Sequence, residues 1–305
     1  ARRARCAEQG EWLVVHGTVW SHESGQRIAH PGVRRETWLP ILRFLLANTA
    51  DFGMAQHEVP VEQWPEIDRY ALALARQMQE AVLADYRVYS FHTAIQRLHK
   101  FCSEDLGAFY LDILKDRLYT AGADSTARRA AQTALWHILH TLTRLMAPIL
   151  SFTAEEIWAL QCKSDSVFLG LWHEPPKQAD EDRLIERWTR LRQLRGLATK
   201  RIEELRAAGQ VGSSLQADVV FQADGADHDL LASLGDDLRF VLITSAASVA
   251  RAEGETRVEV SALGHAKCER CWHVRADVGA HAEHPGLCGR CVSNLYGEGE
   301  PRAFA

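Results

Sequence analysis

Apolar residues recur at helical spacing through the middle of this chain. After a short apolar segment, ILRFLLANTADF, residues Ile67, Tyr70, Leu74, Met78, Val82 and Tyr86 return every three or four positions. That is the spacing of one buried helix face. Phe91, Ile95, Leu98, Cys102, Leu106, Phe109 and Ile113 repeat it. Leu135, Ile138, Leu139, Leu142, Leu145 and Met146 form a third stripe, opened by Asp124 and Ser125 and stopped by Pro148. A further helix is predicted to open at Thr153, where Thr153 and Glu156 fit a capping box and Phe152 with Ile157 a hydrophobic staple. Residues 41–165 therefore predict an antiparallel helix bundle.

The paired prolines and charges of WHEPPKQADED place a linker at 166–182. From Arg183 a long amphipathic helix follows, with Leu184, Trp188, Leu191, Leu194, Ala198, Ile202 and Leu205 on its buried stripe. After GQVGSS the period shortens, and ADVVFQA, RFVLITSAASV and TRVEVSAL read as strands, with a small helix near DHDLLASLG. The predicted fold class is mainly α: a bundle, a small α+β region over 183–262 and a cysteine-rich knuckle over 263–305. Residues 1–40 carry little periodicity despite Trp12, Trp20 and Trp38, and predict irregular chain.

Composition narrows the class. A chain of 305 residues can bury two or three cores. No apolar run approaches the roughly 18 residues a membrane span requires, and the basic N-terminal stretch lacks the apolar segment of a signal peptide. The seven cysteines are odd in number, with Cys6, Cys102 and Cys162 scattered, which suits a reducing compartment. A cytoplasmic, monomeric protein without membrane contact is expected. The formal charge of −5 argues against a broad basic surface for nucleic acid, so any such role must rest on a local patch.

The sharpest chemical signal is KCERCWHVRADVGAHAEHPGLCGRCVSNLYG. Cys268 and Cys271 are separated by sixteen residues from Cys288 and Cys291. Two such pairs at this spacing predict tetrahedral coordination of one Zn2+. Four thiolates leave no open position, so the ion is expected to be structural. His273, His281 and His284 lie within the knuckle, but the four cysteines already close the shell. A redox role for the Cys-x-x-Cys pairs lacks the βαβ context it needs.

Two features point toward RNA. Over 183–206 eight cations, among them Arg187, Arg190, Arg195, Lys200 and Arg201, face three glutamates. Such a stripe reads either as a solvated helix face or as a track for phosphates. Around the knuckle stand Lys267, Arg270, Trp272, His273, Arg275 and Arg290. Aromatic and guanidinium groups on a metal-braced loop suit stacking on unpaired bases, while Trp272 could equally pack beneath the metal as a small core. No Gly-rich phosphate loop and no nucleophile–base constellation is evident.

Several stretches carry a family resemblance: FHTAIQRLHKFCSEDLGAFYLDILKDRLYT, DSTARRAAQTALWHILHTLTRLMAPILSFTAEEIW, VGSSLQADV, LGDDLRFVLITSAASV and the knuckle with its tail VSNLYGEGEPRAFA. From about Ile41 to Ala305 the chain resembles the C-terminal third of bacterial isoleucyl-tRNA synthetases. MAPILSFTAEEIW is shared with the valyl and leucyl relatives, whereas GSSLQADV and the knuckle narrow the likeness to the isoleucyl enzymes. The resemblance implies an anticodon-binding bundle, an appended tRNA-recognition region, and zinc ligands at Cys268, Cys271, Cys288 and Cys291. It implies an isoleucine-accepting tRNA as partner, through its anticodon stem and loop. The family activates isoleucine with ATP through His-x-Gly-His and Lys-Met-Ser-Lys-Ser motifs, and neither occurs here. The chain alone is therefore expected to be catalytically inactive, with any catalytic portion separate. Residues 1–40 do not match the family and read as the product of a truncation or frame change. The alternatives are an RNA-binding module acting in trans and a relict without function.

Overall fold

The computed structural model describes residues 35–162 and 166–305. Most of the irregular stretch predicted over 1–40 thus lies outside the described residues, but residues 35–40 already belong to a helix. In chain order the elements are α1 (Arg35–Asn48), α2 (Met54–His57), α3 (Glu66–Arg87), α4 (Phe91–Lys100), a π-helical segment (Phe101–Tyr110), α5 (Leu111–Thr120), α6 (Thr126–Met146), α7 (Ser151–Gln161), α8 (Glu181–Ala207), β1 (Ala217–Ala223), α9 (Gly225–Ala232), α10 (Leu238–Leu242), β2 (Ala246–Arg251), β3 (Arg257–Ala262) and α11 (Gly289–Tyr296). They form two compact units that interleave along the sequence. The first takes the chain up to Glu58, Ala71–Tyr110 and Gln132–Gln178; the second takes Val59–Tyr70, Leu111–Ala131 and Ala179–Ala305.

The first unit is the helical one. Val82, Leu98, Leu135, Ile138 and Leu142 of the predicted stripes lie in its core, joined by Leu45 and Leu72 from outside them, while Leu74 and Tyr86 of the first stripe are only half-buried. The stripe read as one α-helix from Phe91 to Ile113 is a continuous helical run with a π segment in its middle. Gly107 lies within that segment, where a Cβ would stand 3.1 Å from the Cys102 carbonyl and 3.2 Å from Ile41 of α1. The absent side chain lets the widened coil approach α1 closely. α7 departs from its prediction. It starts at Ser151 with Leu150 as N-cap and no side-chain cap bond. Thr153 is consequently an interior, buried position and Phe152 is exposed, so neither capping box nor staple forms. The predicted linker is partly laid down on this unit. Gln79 donates to the His173 carbonyl at 2.6 Å and Arg76 to that of Pro175 at 2.8 Å.

Three histidines meet in the same unit. His137 Nδ1 lies 2.9 Å from His173 Nε2, His140 and His173 have ring centroids 5.6 Å apart, and Trp136 stacks obliquely on His140 at 3.9 Å. Arg144 donates to His140 Nδ1 at 2.9 Å. Burial pushes His137 down to about 4 and His140 and His173 to about 3, with Arg144 and the neighbouring rings adding to the last two. A base held below its unfolded value binds fewer protons in the folded state. Stability is therefore full above pH 6.5 and falls as pH drops toward the folded values. The loss between pH 6.5 and 4.5 is expected to be about 2–4 kcal/mol after discounting partial exposure. Urea unfolding of the first unit at the two pH values checks this; equal midpoints would contradict it.

The second unit is built on α8, whose buried residues are the seven predicted ones. Trp188 stacks on Tyr70 at 5.5 Å, and its Nε1 donates to Glu66 at 2.8 Å. β1 is the central strand of the order β2-β1-β3, parallel to β2 and antiparallel to β3. Its alternate residues Ala217, Val219, Phe221 and Ala223 are buried, as a strand with one covered face requires. RFVLITSAASV is not one strand. Its first half is α10, which ends at Ile243 in the left-handed region (φ 57°), with Thr244 N donating to the Arg239 carbonyl at 2.9 Å. That helix-terminating turn consumes the residues between helix and β2. Asp68 and Arg117, both buried, are ion-paired inside this unit.

Candidate metal centre

The four cysteines converge from two short pieces of chain. Cys268 and Cys271 flank a tight turn. Cys268 N donates to the His273 carbonyl at 2.9 Å, Trp272 N to the Cys268 carbonyl at 3.0 Å, and Lys267 bridges to Val274. The turn is completed by Trp272 at φ 66°. Cys288 is the N-cap of α11, and Cys291 sits on its first turn. Asp277 steadies that helix start by accepting from Gly289 N at 3.0 Å. Val278 and Leu287 pack against the sulfurs as a small apolar shell.

The donor set fits a zinc ion. All four sulfur atoms lie within 4.8 Å of one another and all four residues are buried. Cys271 and Cys288 Sγ are 3.7 Å apart. Tetrahedral Zn–S bonds of about 2.3 Å imply sulfur separations of about 3.8 Å. The sulfurs also show a charge problem. Hydrogen bonding to Cys288 and Cys291, together with burial, drives the Cys271 thiol up, while bonds from Cys271 and Cys291 drive Cys288 down. One divalent cation held by all four removes that conflict. The set is closed by its own sulfurs, so its chemistry is structural.

Around the knuckle a buried ionic network centres on Asp116 of α5. Arg302 donates to it at 2.6 Å, Arg290 at 3.0 Å through Nη1, and His273 Nε2 lies 3.5 Å away. Burial alone would raise Asp116, but the His273 hydrogen bond and the two guanidiniums overcome it and hold the carboxyl below its usual range. Glu300 accepts from Arg290 at 2.7 Å and from Arg302 at 3.0 Å. Phe240 lies under Arg302, 3.3 Å from the guanidinium carbon to the ring centroid. Asp237 accepts from the backbone N–H groups of Ala303, Phe304 and Ala305 at 3.0, 2.7 and 3.3 Å.

This arrangement sorts the residues expected to face RNA. Trp272 is 59% exposed rather than packed beneath the sulfurs, and Lys267 Nζ stands 5.2 Å over its ring. The ring borders a cavity of about 410 Å³ floored by Ile113, Phe240 and Ile243. His273 and Arg290 point inward and are engaged by Asp116, so they do not belong to an accessible face. Arg270 is turned onto the Thr120 carbonyl, and Arg275 pairs with Asp277 at 3.2 Å. The long helix is likewise partly committed. Arg187 pairs with Glu66 at 2.7 Å, Arg190 holds both oxygens of Asp227, and Arg195 donates to the Val241 carbonyl at 2.9 Å. Lys200 and Arg201 lie exposed near its C-terminal end, Arg201 with Glu204 at 2.8 Å. Sequence reading missed the acidic anchors Asp116 and Asp237. Asp116 stands between Lys115 and Arg117 and Asp237 follows Asp236, and neither position carries a motif or periodic signal.

Comparison with known proteins agrees with this geometry. Residues 68–221 match the family described as the anticodon-binding domain of tRNA ligase, and residues 267–294 match the zinc finger found in FPG and IleRS. The isoleucine–tRNA ligase of Paraburkholderia xenovorans is 59% identical over 267 residues, covering 87% of this chain and 28% of that protein. That of Burkholderia cenocepacia (strain HI2424) is 57% identical over the same length, with the same coverage. The chain thus spans 28% of the length of the curated relatives it matches. No helix among the described residues is long and apolar enough to cross a membrane. With the bundle, the long helix and the closed four-sulfur centre all accounted for by these matches, the chain belongs to the tRNA-ligase anticodon-binding family, as the anticodon-binding and zinc-finger region of an isoleucine–tRNA ligase.

Proposed function

We propose that this chain recognises the anticodon stem and loop of an isoleucine-accepting tRNA, and that amino-acid activation by ATP is carried out by a portion of the ligase outside it. The observation that carries this is the family match running unbroken from α3 to β1, joined to a metal knuckle that displays Trp272. In this reading the bundle receives the stem, and Lys200 and Arg201 neutralise phosphates. Trp272, backed by Lys267, stacks on an unpaired base at the mouth of its apolar cavity. Phosphate contacts would fix register, and the knuckle would contribute base discrimination.

Titration of labelled isoleucine tRNA against a non-cognate tRNA tests the proposal. The cognate tRNA is expected to bind more tightly. Trp272→Ala should weaken it by about 1–3 kcal/mol, roughly 5- to 150-fold, with little change in salt dependence. Lys200→Ala with Arg201→Ala should weaken both tRNAs alike and flatten the salt slope by about one for each phosphate no longer neutralised. Equal affinity for the two tRNAs would instead indicate a general RNA-binding module.

A further inference from the structure

We infer that Arg270 is a positioning residue, which sets Trp272 over its cavity by clamping the knuckle to the C-terminal end of α5. The inference rests on the base-stacking role proposed for Trp272. The last four carbonyls of an α-helix have no partner within it. In α5 that of Arg117 accepts from Ala121 N at 3.1 Å, and that of Leu118 from Arg128 Nε at 3.3 Å. The remaining two both accept from Arg270: its Nη1 donates to the Thr120 carbonyl, and its Nη2 to that of Tyr119 at 3.4 Å. One planar guanidinium serves two successive carbonyls, a geometry that a compact ammonium does not match. The cation also lies at the negative end of the helix dipole.

This clamp sits beside an exposed and strained side chain. Trp272 holds φ 66° at 59% exposure, in a region of backbone space that L side chains rarely adopt. Such a conformation persists where the surroundings over-determine it. Here they supply two anchors on one helix. Arg270 precedes the ring and takes the end of α5, while His273 follows it and lies 3.5 Å from Asp116, one turn earlier in α5. The cavity beneath the ring is lined from the same helix by Asp112, Ile113 and Tyr119. The height of the indole above that floor is therefore set by the contact between Arg270 and α5. Arg270 itself is half-buried, and its charge is directed at backbone carbonyls and not at phosphate.

The test uses the full chain with Arg270→Lys, Trp272→Ala and both together. Lysine keeps the charge and removes the fork, which separates positioning from phosphate contact. Labelled isoleucine tRNA is expected to bind Arg270→Lys at least about fivefold more weakly than wild type, with an unchanged salt slope because no phosphate contact is lost. In the Trp272→Ala background the same substitution should cost less than about twofold, because the ring it positions is gone. Zinc should stay at one equivalent in all three variants.

A second measurement reads the indole without RNA. The chain has nine tryptophans, so the Trp272 emission is taken in each background as the difference on Trp272→Phe. In Arg270→Lys that signal should be quenched more readily by acrylamide and show lower anisotropy. An indole signal unmoved by Arg270→Lys would overturn the inference whatever the tRNA does. Where Trp272→Ala weakens tRNA binding, wild-type affinity in Arg270→Lys or an undiminished loss in the double variant would overturn it too. Trp272→Ala binding as tightly as wild type would instead remove the base-stacking role, and the difference signal would still decide whether Arg270 sets the ring.

Discussion

Stripping the metal with a chelator is expected to unfold residues 267–305 while the helical first unit keeps its secondary structure. Protein purified under reducing conditions should carry one equivalent of zinc, and metal analysis that finds none would contradict the assignment. The expected effect is large because the apolar shell around the four thiolates is small. The shell around the sulfurs is essentially Val278 and Leu287. Zinc binding to sites of this type contributes on the order of 10 kcal/mol at neutral pH. The damage should spread beyond the knuckle along a defined route. Arg290 is one residue from Cys291, and with Arg302 it neutralises the buried carboxylate of Asp116. Loss of the metal therefore removes both guanidiniums from Asp116 and uncovers this face of α5. Limited proteolysis should show cleavage in the last forty residues first, and Cys288→Ser should reproduce the pattern without chelator.

The second large effect is expected from Asp68→Ala. Asp68 and Arg117 pair with essentially no solvent exposure in the second unit. Removing the carboxylate strands a buried guanidinium, which costs about 3–5 kcal/mol. The double replacement Asp68→Leu with Arg117→Met removes both charges and keeps apolar volume, so it should recover most of that loss. Chemical denaturation of the two variants and the parent, completed as a double-mutant cycle, measures the coupling directly. If Asp68→Ala unfolds at the parental midpoint, the pair is not an internal anchor of the second unit.

Much of this fold is legible in the sequence because it follows from periodicity. The buried face of α8 matches the predicted residues one for one, and β1 alternates as read. Thiolate spacing likewise sufficed to bring Cys268, Cys271, Cys288 and Cys291 together. The failures have a common physical origin in tertiary partners that local pattern does not encode. RFVLI is as apolar as a strand, yet it folds as α10, which places Phe240 under Arg302 and Arg290. Thr153 has the chemistry of a cap but sits two residues inside α7. The arginines of α8 look like a phosphate track until Glu66 and Asp227, 121 and 37 residues away, are seen to engage Arg187 and Arg190. Charge counted along one helix says nothing of where the opposite charges lie. Only the fold shows that Trp272 and Lys267 face outward while Arg290 faces in.

The Asp116 network also bears on the order in which the chain acquires its structure during synthesis. Arg290 and Arg302 lie 174 and 186 residues downstream of the carboxylate they satisfy. At about 5–20 residues per second, a ribosome needs roughly 10–40 s to bridge that interval. Through it, α5 exists without the cations that make its burial favourable. The nascent second unit is therefore expected to stay open and hydrated until its last segment emerges and takes up zinc, which pulse-labelling hydrogen exchange on stalled chains would check. A cell short of zinc would accumulate this species with its helical first unit already formed, a defined substrate for chaperones and proteases.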